Sequence, residues 1–181
     1  MEIIQLFPTY VFTKKCNLDL KKIKKDCLDH ISNTKSSSIS STGYQHYNFD
    51  CKVLSKELKE SIPQREDLPL KSIKNSFWVN INYKNQHNIL HSHDPFCDNA
   101  LSGVFYVQTP KDCGNIRLYD PRYTLTSAPD LKYYNNASPC HIFTPEPNLL
   151  LIFPSWLQHL VEPNNSDEQR ISISFNIQLE Y

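Results

Sequence analysis

The chain has 181 residues, with 19 Lys and Arg balanced by 19 Asp and Glu, 39% apolar and 21% charged. One ordinary domain of this length buries a core without help from disulfides. The zero net charge gives no electrostatic case for nucleic acid or a membrane surface as main partner. Three Gly, twelve Pro, ten Tyr and nine Phe favour strands and rigid loops over a helical bundle.

The first eight residues, Met1 to Pro8, lack a basic segment followed by an apolar one, so no secretory leader is expected. Residues 2–12 read as two short strands broken at Pro8, the second being Tyr10-Val11-Phe12. Residues 18–32 read as a helix with Leu20, Ile23, Cys27, Leu28 and Ile31 on its inner face. Lys21, Lys22, Lys24 and Lys25 fill the opposite face, which is read as solvated. A Ser-rich loop spans 34–43. A second helix is predicted over 50–62, with Val53, Leu54, Leu58 and Ile62 facing inward.

From about residue 74 the period changes to two. Phe77, Val79, Ile81 and Tyr83 alternate with Trp78, Asn80 and Asn82. Further strands are predicted over 101–108, 115–119, 140–144, 149–153 and 170–181. Turn-forming stretches separate them: Asn85 to Asn88, Lys111 to Gly114, Pro145 to Asn148 and Pro163 to Ser166. Helices first and strands afterwards argue for a mainly β, α+β layout with helices on one face of a sandwich or barrel. A single domain is expected over 1–181, in which 1–75 support a β core of 76–181. In the last strand Ile171, Ile173, Phe175, Ile177 and Leu179 share one face, and Arg170, Ser172, Ser174, Asn176 and Gln178 the other. That polar face could meet water or line a cavity.

No apolar run approaches the ~20 residues that span a bilayer. Cys16, Cys27, Cys51, Cys97, Cys113 and Cys140 are scattered, with no C-x-x-C pair. That excludes a zinc ribbon or redox dithiol and suits reduced thiols in the cytoplasm.

His91-Ser92-His93 follows an apparent strand, and a period of two points both imidazoles to one side. Alone, such a pair is a weak signal. It gains weight from a buried strand, Leu149 to Phe153, that runs through Pro154-Ser155-Trp156-Leu157-Gln158 into His159. Arg170 follows and opens the last strand. Three facial ligands leave positions open for a bidentate 2-oxo acid and O₂, as in non-haem Fe(II) oxygenases. The far carboxylate of that acid requires a buried cation, and the fork of an Arg fits it better than Lys. Ser172 would add a hydrogen bond on the same strand face.

The run from Trp78 to Tyr181 resembles the 2-oxoglutarate/Fe(II)-dependent oxygenase superfamily, and within it a family from marine bacteria and their phages. The matching pieces are Leu6-Phe7-Pro8-Thr9, Trp78-Val79-Asn80, His91-x-His93, Leu101 to Val107, Asp120-Pro121-Arg122, Phe153-Pro154-Ser155-Trp156-Leu157-x-His159 and Arg170 to Asn176. The resemblance implies a jelly-roll double-stranded β-helix, with Fe(II) held by His91, His93 and His159. It also implies 2-oxoglutarate as cosubstrate, its distal carboxylate on Arg170 and Ser172, with Tyr106 offering a helping hydroxyl. Asn82 and Asn88 become candidates for cosubstrate or substrate contact, and Arg122 either meets substrate or ties a loop. The implied activity is hydroxylation of an unidentified substrate by O₂ with release of succinate and CO₂, in a bacterial or phage-infected cytoplasm, with a homodimer as one option.

One position departs from the superfamily. The usual second ligand is a carboxylate; here it is His93, followed by Asp94, which could ligate instead or support His93. His87 and His141 read as surface or satisfied core groups, while His30 and His46 carry no signal. Trp156 reads as packing over the metal-strand corner. The loops at 94–100 and 120–139 are expected to shape the substrate pocket. The competing reading is a non-redox, cupin-like protein that holds Zn²⁺ or another divalent ion on three histidines and binds a small anion.

Overall fold

The computed structural model describes residues 8–36, 42–62, 71–93, 100–122 and 140–180. In chain order these form β1 (Phe12–Lys15), α1 (Leu20–Asn33), β2 (Tyr44–Tyr47), α2 (Lys52–Ser61), β3 (Ser72–Asn82) and β4 (Asn88–His91). Then come β5 (Leu101–Gln108), β6 (Ile116–Tyr119), β7 (Cys140–Phe143), β8 (Leu149–Pro154), β9 (His159–Val161) and β10 (Arg170–Glu180). Two antiparallel sheets result, a six-stranded one in the order β1-β8-β5-β10-β3-β2 and a four-stranded one in the order β4-β9-β6-β7. The chain passes back and forth between them, which is the expected double-stranded β-helix.

The long strands β3 and β10 pair along their whole length, from Arg170 opposite Asn82 to Glu180 opposite Ser72. Their odd-numbered residues (Phe77, Val79, Ile81, Ile171, Ile173, Phe175 and Ile177) join Ile23 and Cys27 of α1 and Leu54 and Leu58 of α2 in one core. A second core, including Val104, Tyr106, Leu118, Leu151 and Phe153, fills the space between the sheets. Strands β5 and β8 contribute to both cores, so they are apolar on both faces. This is why Leu149 to Phe153 reads as a continuous apolar run. The even-numbered side chains of β3 and β10, among them Trp78, Asn80, Asn82, Arg170, Ser172, Ser174 and Asn176, line a cavity of about 1010 Å³.

Local chemistry sets the elements. Asp19 caps α1, its Oδ1 accepting from the Lys21 and Lys22 amides at 3.1 Å. The predicted turns at 85–88, 111–114 and 145–148 each hold left-handed residues: Asn85 (φ 67°), Asp112 (φ 62°) with Gly114 (φ 82°), and Asn148 (φ 67°). At Gly103 a Cβ would collide with the Leu151 carbonyl and the Phe175 ring, so β5 can cross there only without a side chain.

Several expectations are corrected. Val53 is 44% and Leu28 36% exposed. Each lies about 100° around the helix from its buried neighbour, Leu54 or Cys27, outside the stripe that meets the sheet. The first strand begins at Phe12 rather than Tyr10, because pairing with β8 starts at Phe12 opposite Ile152. Lys14 and Lys15 then charge this sheet edge. Strands β2 and β9 were not predicted, and His46, assigned no signal, is buried on β2 with Nδ1 2.9 Å from Thr34 Oγ1. Strand β3 starts at Ser72, earlier than the alternation alone indicates. The proposed strand before Pro8 lies outside the described residues. Among those residues, no helix is long and apolar enough to cross a membrane.

Candidate metal centre and anion pocket

His91 closes β4 and His159 opens β9, and the two are direct cross-strand partners with ring centroids 4.3 Å apart. His93 lies two residues beyond His91 and is anchored where its amide donates to Ser155 O at 2.9 Å. Its ring lies 5.4 Å from that of His91 and 5.2 Å from that of His159. One ligating atom from each of the three residues lies within 4.8 Å of the others.

The hydrogen bonds assign the tautomers. His91 Nδ1 lies 2.7 Å from Ile89 O, and His159 Nδ1 lies 2.9 Å from Leu157 O. His93 Nδ1 lies 2.5 Å from Asn176 Oδ1 and 2.9 Å from Ser102 Oγ. A carbonyl oxygen only accepts, so Nδ1 carries the proton on each ring and the lone pair is left on Nε2. Outer partners of this kind fix metal-binding histidines in general. Burial lowers the pKa of all three; for His159, burial and then repulsion from His91 outweigh the Leu157 carbonyl and bring it to about 3. The imidazoles are therefore neutral near pH 7, with electron pairs available to a cation.

Arg170 is 1% exposed. Its Nη1 donates to Cys113 O at 2.6 Å and reaches Glu162 O at 3.4 Å, while Nη2 is buried without a partner. The Glu162 carboxylate turns instead to Arg117 Nε, 2.6 Å away. Burial pulls the guanidinium pKa down, and no carboxylate among the described residues offsets this. A buried cation with no counter-charge costs several kcal/mol, which an incoming anion would relieve. Four more buried groups on the same cavity lack partners, Asn75 Oδ1, Trp78 Nε1, Tyr106 Oη and Asn82 Nδ2, and the last two belong to the strand neighbours of Arg170 and Ser172. Burial, opposed by the Arg170 charge, pushes the Tyr106 phenol pKa up. Ladder pairing explains the grouping: Arg170 is opposite Asn82, and Ser172 is opposite Tyr106. Together they form a cluster of donors with no acceptor charge of its own, in the cavity that the three histidines also line.

Other candidates fall in different places. Asn88 is buried and lines the cavity. Arg122 is tied to Asp120 by two hydrogen bonds of 3.0 Å, closing its own turn. Trp156 is 43% exposed rather than packed over a corner. His87 receives Thr42 contacts in its loop, and His141 lies on β7 against Phe143. Asp94, Cys97 and the loop 123–139 lie outside the described residues. Sequence reasoning passed over Ser102, Ser155 and Asn176, which hold His93, and the Cys113 carbonyl, which holds Arg170. Only Asn176 left a sequence signal, as a member of the period-two polar face that carries Arg170 and Ser172.

The comparisons agree with this geometry. The family described as "Putative 2OG-Fe(II) oxygenase" matches residues 76–176. No curated protein sequence matches. Among solved structures, a prolyl-4-hydroxylase from Pseudomonas putida superposes with a TM-score of 0.68 at 13% identity, covering 96% of this chain and 94% of that one. A viral collagen prolyl hydroxylase from Paramecium Bursaria Chlorella virus-1, in complex with 2OG, gives 0.63 at 14% identity, with 93% and 95% covered. HygX from Streptomyces hygroscopicus, with nickel and 2-oxoglutarate bound, gives 0.62 at 7% identity, with 94% and 83% covered. At these identities the structural likeness speaks for the fold, and the family match carries the assignment. The chain belongs to the 2OG-Fe(II) oxygenase family and is an oxygenase that works with Fe(II), 2-oxoglutarate and O₂.

Proposed function

We propose that His91, His93 and His159 hold Fe(II) through Nε2, and that Arg170, Ser172, Tyr106 and Asn82 seat 2-oxoglutarate. The observation that carries this reading is one cavity with two complementary ends. At one end three neutral imidazoles present lone pairs. At the other, Arg170 Nη2, Tyr106 Oη and Asn82 Nδ2 are buried without hydrogen-bond partners. The residues fit the cofactor set: a divalent ion suits the first end, and a carboxylate suits the second.

Bound there, Fe(II) would supply the redox chemistry that couples loss of CO₂ from 2-oxoglutarate to the use of O₂, one oxygen atom ending in succinate and the other in a substrate C–H bond. The chain's own part is to bind and orient. Arg170 offers its free Nη2 to the distal carboxylate, while Cys113 O fixes Nη1. Tyr106 and Asn82 add hydrogen-bond donors, and Ser172 adds a hydroxyl on the same ladder row as Tyr106. Val104, Ile116 and Phe153 wall the cavity with apolar surface that limits water. A volume of about 1010 Å³ is at the upper end of the roughly 300–1,000 Å³ usual for small-molecule pockets. Its lining reaches Lys52, Lys56 and Lys59 on α2, so that volume includes space away from the metal and anion-binding groups. Buried, unlinked thiols at Cys16, Cys27, Cys51 and Cys113 support a cytoplasmic setting.

The test is anaerobic titration of Fe(II), then 2-oxoglutarate, followed by O₂ and succinate measurement. Succinate that depends on Fe(II), His159 and Arg170 is the expected result. Tight Zn²⁺ binding with no succinate from any divalent metal would instead support the non-redox reading.

A further inference from the structure

Building on the assignment of His93 as a metal ligand, we propose that Asn176, steadied by Ser102 and Ser155, is the positioning residue that lets a histidine serve where the superfamily uses a carboxylate. The three histidines are not held alike. His91 and His159 each use the carbonyl two residues back, Ile89 and Leu157, a contact that follows from local backbone geometry. His93 lies past the end of β4. Its acceptor comes from β10, 83 residues away in sequence, at 2.5 Å.

Asn176 is fixed in turn. Strand pairing sets it directly opposite Ser102. Ser102 Oγ donates to Asn176 Oδ1 at 2.8 Å and lies 3.0 Å from Ser155 Oγ. Ser155 closes the loop through its backbone, accepting the His93 amide at 2.9 Å and donating to Ala100 O at 3.3 Å. Three separate segments thus fix one ring. Packing of the His93 ring against Trp78, with centroids 5.7 Å apart, restricts it further.

The amide has a chemical consequence as well as a steric one. With Oδ1 toward the ring, His93 must carry its proton on Nδ1 and aim its lone pair toward His91 and His159. Turned over, the amide would donate to Nδ1, place the proton on Nε2 and remove the third ligand. An Asp at this place can only accept, so it keeps the productive tautomer and makes the ring a better donor. A Leu can do neither.

Co(II) binding tests this without turnover, read from the visible bands of the bound ion and from thermal melting of the metal-free protein. Asn176→Leu is expected to weaken Co(II) roughly 10–100-fold. Asn176→Asp is expected to bind at least as tightly as wild type, with the same band pattern. Wild-type affinity in Asn176→Leu would overturn the proposal. So would a tenfold loss in Asn176→Asp, which needs no folded Leu variant for comparison. His93→Ala separates the two levels of the argument. If it binds Co(II) like wild type, the ligand assignment itself fails. If it loses Co(II) while Asn176→Leu keeps it, only the positioning role fails.

Discussion

Replacing Arg170 with Met tests the anion pocket and separates function from stability. In the ligand-free protein the guanidinium is a buried cation whose hydrogen-bond partners are backbone carbonyls, chiefly Cys113 O at 2.6 Å. Its burial costs several kcal/mol, and the charged hydrogen bond returns about 1.5–3 kcal/mol. Met fills similar space without the charge, so the two changes offset and the ligand-free melting temperature should move by only a few degrees. The bound state is different. Losing one partner of a buried, hydrogen-bonded ion pair costs about 3–5 kcal/mol. At 1.4 kcal/mol per tenfold, the 2-oxoglutarate Kd should rise between about a hundredfold and a few thousandfold. Arg170→Lys, which restores a point charge without the fork, should fall between. Calorimetric titration of 2-oxoglutarate into the Zn²⁺-loaded, redox-inert protein reads the affinity, and melting with and without metal reads stability. A Met variant that binds 2-oxoglutarate as tightly as wild type would refute the pocket. A ligand-free Met variant that melts far below wild type would show that Arg170 is there chiefly to hold the fold together.

Three further outcomes are expected. His159→Ala should abolish stoichiometric binding of one divalent ion, as measured by metal analysis after desalting, while leaving the circular dichroism spectrum intact. Gly103→Ala should destabilise the protein by roughly 1–3 kcal/mol through overpacking, lowering the melting temperature by several degrees, since the new methyl meets Leu151 O and the Phe175 ring. Glu57 accepts from Lys14 Nζ at 2.6 Å, and chiefly this hydrogen bond holds its carboxyl below the usual value. A depressed carboxylate contributes stability above its unfolded pKa of 4.5 and loses it as pH falls through the folded value. Urea unfolding below about pH 5 should therefore weaken wild type more steeply than Glu57→Gln, and equal slopes would refute the pairing.

Elements with strong local periodicity were legible in the sequence, and those stabilised by distant partners were not. The alternation of β10 and the apolar run of β8 are properties of their own residues. Both strands appear where the pattern places them. Strand β2 (Tyr-Gln-His-Tyr) has no apolar alternation; it exists because it pairs with Trp78 to Ile81. Strand β9 has three residues and is held between β4 and β6. Within the site, the histidines and Arg170 stood out because few side chain types bind a metal or a carboxylate and because they fall in short motifs, His91-x-His93, Leu157-x-His159 and Arg170-Ile171-Ser172. Ser102, Ser155 and the Cys113 carbonyl did not, since a serine or a backbone oxygen acquires its role only from what the fold sets opposite it.

A divalent ion on three neutral imidazoles, together with the Arg170 guanidinium, would put three positive charges on the metal and anion-binding groups themselves, with no carboxylate among the described residues paired to Arg170. A carboxylate in the place of His93 would reduce that to two, which a 2-oxoglutarate dianion would neutralise outright. With His93, one positive charge is left over after the cosubstrate binds. Close to the buried Arg170 that charge is screened less than it would be in water. Asn176→Asp returns one negative charge to the surroundings of His93. If the surplus charge helps bind 2-oxoglutarate, this variant should hold metal well yet bind the dianion more weakly. Unchanged or tighter 2-oxoglutarate binding to the metal-loaded variant would show that the surplus is screened and that Arg170 alone sets anion affinity.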